Sequence, residues 1–346
     1  MARAKKTEEE VGEANDLEAD AFGVAHEAKF EFPELEGIDI ASLVGSVRGR
    51  YDKKHAGLGK DVVTADFVEL PRDDDAYVLS DEVAFWKPLT GIKGIPYGRI
   101  VQISGKPDSG KSTTAMAFMK AAQRSGALVV LWDAEQKFDA VRYKNKFGGH
   151  PATILTSRNQ NITEGAKQIA WFVKEAKEQN PNIKIFIVWD SVGAALNSAE
   201  DDEDDDFSKQ PGVTAREINW ATKKFNKLIQ RYRNTETGDH TIAVCCINQV
   251  YAQIGMFTKG DKEKGGQGLE YLSSLIVRLQ RTKTLSRVSK GVKYNYGILT
   301  KAKVKKNHLF GGEECVAELE LAVSSDGIKL AKEIKGLEGL VYEDDE

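Results

Sequence analysis

Residues 105–112 form the motif G-x-x-x-x-G-K-[ST], with the sequence Gly-Lys-Pro-Asp-Ser-Gly-Lys-Ser. Glycines at its ends let the backbone wrap round a phosphate with its N–H groups turned inward. Lys111 is expected to reach the β- and γ-phosphates, and the Ser112 hydroxyl to hold Mg²⁺. The predicted nucleotide-binding residues of this segment are Gly105, Lys106, Pro107, Asp108, Ser109, Gly110, Lys111, Ser112 and Thr113.

The segments on either side of the motif favour a nucleotide site over a structural turn. An apolar, strand-like run covers residues 99–104, and a helix-like run covers residues 113–124. A strand leading into the loop and a helix leading out of it are the context that this motif requires. The N-terminus of the helix adds a partial positive charge that attracts phosphate.

Two acids follow apolar strand-like runs, where hydrolysis of a nucleotide would need them. Asp190 ends the most apolar run of the chain and is the candidate second ligand for Mg²⁺. Glu135 follows another such run and is the candidate base that activates water, because α/β sites form at the carboxyl ends of parallel strands. The alternatives are a helix cap at Asp190 and a solvated loop acid at Glu135.

A third strand-like run ends in Asn248 and Gln249, and an amide there can hydrogen-bond the γ-phosphate. The loop that follows, residues 250–268, mixes glycines, lysines and apolar side chains. Such a composition suits a nucleic-acid contact, although a solvated surface loop has a similar one. Its candidate DNA-binding residues are Lys259, Lys262, Lys264, Gly265 and Gly266.

Alternating strands and helices predict an α/β fold with a central, mostly parallel sheet flanked by helices. The predicted strands are residues 99–104, 127–132, 152–155, 184–189 and 241–247, and the predicted helices are residues 113–124, 162–177 and 215–231. Three further strands should follow in antiparallel order, at residues 275–281, 294–303 and 316–323.

The chain divides by composition into four predicted regions. Residues 1–30 form a disordered acidic tail, and residues 31–75 form a helix–strand unit too small for its own core. That unit must dock on its own domain or on a neighbouring subunit. Residues 76–330 form the α/β core, and residues 331–346 an acidic C-terminal tail.

Composition excludes several classes of protein. Hydrophobic residues make up 41% and charged residues 29% of the chain, as in a soluble globular protein. No apolar stretch is long enough to span a membrane, and the N-terminus lacks a secretory signal. The 3 cysteines lack zinc-site spacing, and two of them lie in an apolar run, which favours a cytoplasmic protein without structural zinc. A net charge of −4 does not exclude a basic groove, because acids and lysines cluster in different segments.

Taken in order, these motifs make the chain resemble the RecA family of recombinases, which includes the phage UvsX-type proteins. The resemblance covers roughly residues 38–329 and depends on an ordered set of short segments. They are residues 94–100 leading into the phosphate loop, then 133–135, 188–192, 247–250 and 265–266.

The resemblance implies a RecA-like ATPase core and a role for individual residues. Glu135 would be the catalytic glutamate, and Gln249 the γ-phosphate sensor that acts with Lys111 and links ATP to the second DNA loop. Residues implied to bind DNA are Arg216, Lys223 and Ile254, with DNA loops near 200–214 and 250–268. Residues implied near the ATP base are Asp139 and the one-residue-displaced Tyr143, and Lys306 would reach a neighbouring subunit's ATP.

Some positions depart from the family pattern. His308 and Glu270 stand where lysines are expected, and seven consecutive acids, Glu200 to Asp206, lie beside the first DNA loop. That acidic run could be a solvated insert, a Mg²⁺-screened segment or a brake on duplex binding. The family's extra C-terminal domain is not found before the acidic tail, which suggests a compact, phage-type member.

The expected function is that of an ATP- and Mg²⁺-dependent recombinase that forms a helical filament on single-stranded DNA. It would pair that strand with homologous double-stranded DNA and exchange strands, with candidate partners among single-strand-binding and mediator proteins and none in a membrane. Two alternatives remain open. One is a RecA-fold ATPase of another class, such as a ring helicase or motor; the other is a mediator that assembles with ATP without catalysing exchange.

Overall fold

A computed structural model describes most of the α/β region of the chain. The described residues are 77–198, 212–234, 236–252, 261–289, 291–309, 315–316, 318–324 and 327–331, with Ser46 and Asp74. The chain separates into two compact units, Met1–Glu69 and Leu70–Glu346, and nearly all described residues belong to the second.

Six α-helices and twelve strands occur in the described part of the chain. The helices are α1 (Trp86–Thr90), α2 (Lys111–Arg124), α3 (Ala140–Phe147), α4 (Ile162–Gln179), α5 (Val213–Arg231) and α6 (Gly266–Leu272). The first six strands are β1 (Tyr77–Leu79), β2 (Gly94–Pro96), β3 (Ile100–Gly105), β4 (Leu128–Asp133), β5 (Ile154–Ser157) and β6 (Ile185–Asp190). The others are β7 (Ile242–Ala252), β8 (Asp261–Glu263), β9 (Leu275–Ser289), β10 (Val292–Asn307), β11 (Glu318–Ser324) and β12 (Gly327–Leu330).

One large sheet organises the fold, with the strand order β12-β11-β10-β9-β3-β7-β6-β4-β5. The six strands from β9 to β5 in that order run parallel to one another. β10, β11 and β12 extend the sheet by antiparallel pairing, and β8 pairs antiparallel with the end of β7. This arrangement confirms the predicted α/β fold with a mostly parallel central sheet.

Alternate residues of the central strands enter two separate cores. In β6, Phe186 and Val188 pack on the side of α2, whereas Ile187 and Trp189 pack on the side of α4 and α5. All four side chains are fully buried, because helices cover both faces of the sheet. The continuous apolar runs of the sequence therefore predict the central strands well.

The boundaries of some elements differ from the sequence-based expectations. The strand expected at 152–155 begins only at Ile154, because Pro151–Thr153 form a 3-10 helix. Residues 266–268, expected in a loop, begin α6. Helix α3 was not predicted. Its N-cap is Asp139, whose carboxylate accepts a hydrogen bond from the Arg142 amide, and its C-cap is Gly148 in the left-handed conformation.

Several predicted regions lie outside the described residues. They include the acidic tails, nearly all of the helix–strand unit at 31–75, the acidic run from Glu200 to Asp206, and residues 253–260 of the second loop. Among the helices that the structure describes, none combines the length and apolar character needed to cross a membrane.

Lys177 fixes the end of α4 against the start of β7. Its side chain is buried, and its ammonium donates hydrogen bonds to the carbonyls of Pro181 (3.0 Å) and Ile183 (2.5 Å) and to Thr241 Oγ1 (2.7 Å). Burial among these neutral acceptors lowers the pKa of Lys177 from 10.5 to about 8.

Because of Lys177, the free energy of unfolding should vary with pH in the alkaline range. Between about pH 8 and 10.5 the unfolded chain binds the proton that the folded chain has released, so stability should rise with pH in this window. We expect Lys177→Met to remove this rise and to destabilise the protein by about 1–3 kcal/mol at pH 7, because buried acceptors lose their donor.

Urea unfolding of both proteins across this pH range measures the difference. Lys174→Met is the matched control, because Lys174 lies on the same helix in an exposed ion pair with Glu178. A wild-type-minus-Lys177→Met difference that stays constant from pH 7 to 10.5 would contradict the expectation.

Candidate active site

A cavity of about 500 Å³ opens at the carboxyl ends of the central parallel strands. The loop after β3 and the first turns of α2 form one wall, and residues at the ends of β4, β6 and β7 form the other. It brings together these predicted residues: Pro107, Asp108, Ser109, Gly110, Lys111, Ser112, Thr113, Glu135, Asp190 and Gln249.

The loop between β3 and α2 is built to receive an anion. α2 begins after Gly110 with no side chain capping its first N–H groups, so these donors remain available to a ligand. Lys111 donates to the carbonyl of Lys106 at 2.7 Å, across the loop. Burial lowers the pKa of Lys111, and the nearby carboxylates of Asp190 and Glu135 oppose that shift.

Ser112 and Asp190 form a pair of oxygen ligands suited to a divalent cation. The Ser112 hydroxyl hydrogen-bonds the Asp190 carboxylate, and both residues border the cavity. Burial raises the pKa of Asp190 to about 6, against the opposing effect of the Ser112 hydrogen bond. One carboxylate, one hydroxyl and the oxygens of a bound polyphosphate match the preference of Mg²⁺ for few protein ligands. No group of three or more His, Cys, Asp or Glu residues with metal-site geometry occurs within the described ranges.

Glu135 lies at the centre of a hydrogen-bond cluster on the other wall. Its Oε1 accepts a bond from Ser191 Oγ at 2.5 Å and one from Gln249 Nε2 at 2.7 Å. Gln249 Nε2 also lies 3.2 Å from Ser191 Oγ, and Lys137 Nζ contacts Glu135 Oε2 at 3.1 Å. Three chain segments, after β4, after β6 and within β7, therefore meet at one carboxylate.

These contacts control the charge of Glu135. Burial alone would raise its pKa, but hydrogen bonds from Ser191, Lys137 and Gln249 outweigh that effect and lower it. Glu135 is consequently ionised at neutral pH, as a proton acceptor must be. Its basicity depends on how many donors it retains, because each donor stabilises the charged form.

Gly193 allows the Gln249 side chain to approach the segment that follows β6. A Cβ atom on Gly193 would lie 2.8 Å from Gln249 Cβ and 3.0 Å from its Cγ, which is too close for ordinary packing. The Gly193 carbonyl accepts a hydrogen bond from Lys264 Nζ at 2.6 Å. Gly193 therefore contacts both the Gln249 side chain and Lys264. Lys264 lies at the end of residues 250–264, which we call the 250–264 loop.

Glu263 anchors that same loop to the strand before the phosphate loop. Its Oε1 accepts bonds from Ser104 Oγ (2.9 Å) and Arg278 Nη2 (3.0 Å) and forms an ion pair with Lys305 (3.3 Å). The Glu263 side chain is only 10% exposed, so these partners neutralise a largely desolvated charge. Ser104 immediately precedes Gly105, which places this anchor one residue from the phosphate loop.

Two residues expected near the ATP base have other contacts. Tyr143 is fully buried, its hydroxyl donates to Gln123 Oε1 at 2.8 Å, and its ring packs against Phe138 and Phe147. This packing leaves no free ring face and argues against adenine stacking by Tyr143. Asp139 caps α3 and does not border the cavity, whereas Phe138 and Arg142 do.

The candidate DNA-binding residues fall into three groups. Arg216 and Lys223 are exposed on α5. Lys264 donates to Gly193, and Gly265 and Gly266 both have a left-handed backbone (φ 104° and 67°) in the turn that begins α6, so each has a structural role. Ile254 and Lys259 lie outside the described residues, as does the side chain of Lys262.

Lys306 lies away from the cavity of its own chain. Its ammonium donates to the carbonyls of Glu270 (2.7 Å) and Tyr271 (3.1 Å) at the C-terminal end of α6. The contact to a neighbouring subunit's ATP remains a prediction.

Sequence reasoning missed Ser191, Gly193 and Glu263. Ser191 directly follows Asp190, so its position at a strand end was a usable signal. Gly193 and Glu263 act through contacts with residues distant in sequence, and no local pattern reports such contacts.

Comparison with known proteins agrees with this geometry. The family model "RecA N-terminal domain" matches residues 74–328. The chain is 33% identical over 219 residues to the "Protein RecA" of Nautilia profundicola, covering 63% of this chain and 57% of that protein. It is 32% identical over 245 residues to the "Protein RecA" of Cytophaga hutchinsonii, covering 67% and 63% respectively.

A third relative, the "Protein RecA" of Roseiflexus castenholzii, is 32% identical over 218 residues, which cover 63% of this chain and 56% of the relative. The chain thus spans less than two thirds of the length of each of these relatives. The family model covers well over half of the chain, and its matched region contains the phosphate loop, Glu135, Asp190 and Gln249. The chain therefore belongs to the RecA family.

Proposed function

We propose that this protein is an ATP-dependent DNA recombinase of the cytoplasm. It assembles as a helical filament on single-stranded DNA, pairs that strand with homologous duplex and exchanges strands, hydrolysing ATP faster when DNA is bound. The observation that carries the proposal is the hydrogen bond between Gln249 and Glu135. It joins the wall of the nucleotide cavity to the strand that continues directly into the 250–264 loop.

Each residue of the cavity has a distinct task in hydrolysis. Lys111 and the free N–H groups at the start of α2 bind phosphate oxygens, and Ser112 and Asp190 would hold Mg²⁺, which would supply positive charge beside the phosphates. Glu135 accepts a proton from the attacking water as the water oxygen bonds to the γ-phosphorus and ADP leaves. Candidate partner proteins remain the single-strand-binding and mediator proteins.

Gln249 couples this chemistry to DNA. When its amide turns from Glu135 to a γ-phosphate oxygen, Glu135 loses one of its three donors. Its pKa then rises towards the ordinary value and it becomes a stronger base. The same movement changes the end of β7, and so the path of the loop proposed to grip DNA.

Support for this coupling comes from the two anchors of the loop. Lys264 holds its far end to Gly193, and Glu263 holds it to Ser104. Both anchors are within one or two residues of groups in the cavity wall or phosphate loop. The end of the loop at 263–264 therefore cannot move without disturbing contacts beside the nucleotide site.

The first test is ATP hydrolysis with and without single-stranded DNA. We expect strong stimulation by DNA, absent in Lys111→Ala, and a loss of about 10²–10⁴-fold in turnover for Glu135→Gln, which keeps the shape of the residue but cannot accept the proton. Glu164→Gln is the matched control, because Glu164 is an exposed acid in the first turn of α4.

The outcomes separate this function from its alternatives. A rate of ATP hydrolysis that is the same with and without DNA would indicate a RecA-fold motor such as a ring helicase. Absence of hydrolysis, with Glu135→Gln indistinguishable from wild type, would indicate a mediator that uses ATP only to assemble.

Gly193→Ala should uncouple DNA from hydrolysis. The added methyl group must displace Gln249, because it would lie 2.8 Å from Gln249 Cβ. We expect basal turnover and nucleotide affinity to change less than about threefold while stimulation by DNA falls at least about tenfold, a difference near 1.4 kcal/mol. Gln249→Ala should lose the stimulation as well, and it should also change basal turnover because it removes a donor to Glu135. Full stimulation in Gly193→Ala would show that the position of Gln249 does not transmit the effect of DNA.

Glu263→Gln should weaken DNA affinity and stimulation while nucleotide affinity is preserved. The neutral amide can still bond Ser104 but no longer balances Arg278 and Lys305, so the loop end loses its ionic anchor at a cost of about 1–3 kcal/mol. Glu318→Gln is the matched control, since Glu318 also contacts two lysines, Lys301 and Lys303, but its side chain is 37% exposed against 10% for Glu263. Equal effects of the two substitutions on DNA affinity would refute a specific role for Glu263.

A further inference from the structure

The five tryptophans divide into a buried and an exposed set. Trp86, Trp132 and Trp189 have no exposed surface and belong to the two cores. Trp171 on α4 is 57% exposed and Trp220 on α5 is 41% exposed. Large aromatic side chains at the surface often mark a contact site, which makes the surroundings of these two residues informative.

Trp220 lies within a stripe of positive charge along α5. Arg216, Trp220, Lys223 and Lys227 are exposed and follow one another at helical spacings of four, three and four residues, so they share a face. Lys224 and Arg231 flank the same face. We call these six residues the α5 stripe.

Glu217, the sole acid in the sequence of α5, offsets only one of the five positive charges of the stripe. Its carboxylate accepts a hydrogen bond from the Ser198 amide at 3.2 Å and one from the Ser198 hydroxyl. The opposite side of the helix is apolar and fixed in the core through Ile218, Phe225 and Ile229. The α5 stripe is therefore a rigid, outward surface that carries five cations and one indole.

The Trp220 ring is already positioned by its own helix. Lys224 Nζ lies 5.2 Å from the ring centroid, a cation–π contact. A side chain held in this way loses little rotamer freedom when a ligand binds, and the ammonium remains beside the ring, where it can contact a phosphate.

Trp171 is also exposed, but the charges around it differ from those around Trp220. Its neighbours on α4 form ion pairs of opposite charge, Lys167 with Glu164 at 2.6 Å and Lys174 with Glu178 at 3.5 Å. The surface round Trp171 is therefore balanced, although its ring is more exposed than that of Trp220. Among the described residues, exposure of an aromatic ring together with an excess of positive charge distinguishes Trp220 from Trp171.

We propose that Trp220 stacks on an unpaired base of a single-stranded nucleic acid whose phosphates lie along the α5 stripe. This inference rests on the proposed function and adds a contact that the family motifs do not contain. The cations hold phosphates, and the indole supplies the π surface that an unpaired base exposes and a paired base hides. From Arg216 to Lys227 the helix rises on the order of 16 Å, enough for several phosphates.

Intrinsic fluorescence tests the stacking directly. Trp171→Phe leaves Trp220 as the exposed tryptophan, and Trp220→Phe leaves Trp171. Addition of an oligothymidylate should quench wild type and Trp171→Phe and leave Trp220→Phe unchanged. An equal quench in both variants, or none in Trp171→Phe while the strand is bound, overturns the inference.

Affinity measurements separate stacking from charge. Trp220→Ala should weaken oligothymidylate binding about 5- to 100-fold with the salt dependence unchanged, whereas Lys223→Ala should reduce the salt slope by about one. Trp171→Ala is the matched control and should leave the affinity as it is. Urea unfolding of Trp220→Ala should match wild type, because the ring lies outside the core.

The failure of this inference can be told from failure of the proposed function. Wild type that binds oligothymidylate with the same affinity as Trp220→Ala retains the proposed function and refutes the Trp220 contact. Wild type that binds no strand refutes both. If Trp220→Ala changes the oligomeric state in the absence of DNA, the stripe is an interface between copies of the chain and the inference is wrong.

Discussion

A charged carboxylate in a partly buried position is the constraint on which the site depends. Glu135 must stay ionised to accept a proton, yet the surroundings that exclude water from a reacting phosphate also disfavour its charge. The chain meets this requirement with donors from three segments, Ser191, Lys137 and Gln249. Those donors come from the ends of β6 and β7 as well as β4. The pKa of Glu135 therefore depends on the relative positions of these strand ends.

The parallel sheet holds these strand ends in fixed relative positions. Register pairs place Asp133 beside Asp190 and Ser104 beside Asn248, so the ends of β4, β6, β3 and β7 lie at one edge. Interiors packed on both sides resist deformation, so the strands keep these ends in register. Within the described residues, the nucleotide cavity and the anchors of the 250–264 loop both belong to this edge.

The sequence predicts those parts of the site that are marked by a local pattern of residue types. The phosphate loop, Asp190 and Glu135 each follow an apolar run, and both the run and the polar residue at its end are visible without a structure. The central strands were predicted for the same reason. Helix α6 was not, because its first residues are glycines, and glycines favour a loop prediction even where the chain uses them for a left-handed turn.

Contacts between distant segments were beyond a sequence-based prediction. Tyr143 has the residue type of a base-stacking group, but its hydroxyl donates to Gln123, which lies 20 residues away in sequence and outside a local window. Gly193 is informative only once Gln249 is known to pass 2.8 Å from a hypothetical Cβ. Such residues are determined by the tertiary fold, so their roles follow from geometry and not from spacing.

Charge distribution shows the same dependence on the fold. The chain has a net charge of −4, yet residues 275–307, which contain β9 and β10, include ten lysines and arginines and no acid. Like charges on paired strands repel, and register places Arg278 directly beside Lys303. The neutralising carboxylates come from other strands: Glu318 on β11 contacts Lys303, and Glu263 on β8 contacts Arg278. Glu263 also lies near the end of the 250–264 loop. Its ion pairs therefore both balance positive charge on β9 and β10 and hold the end of this loop beside the phosphate site.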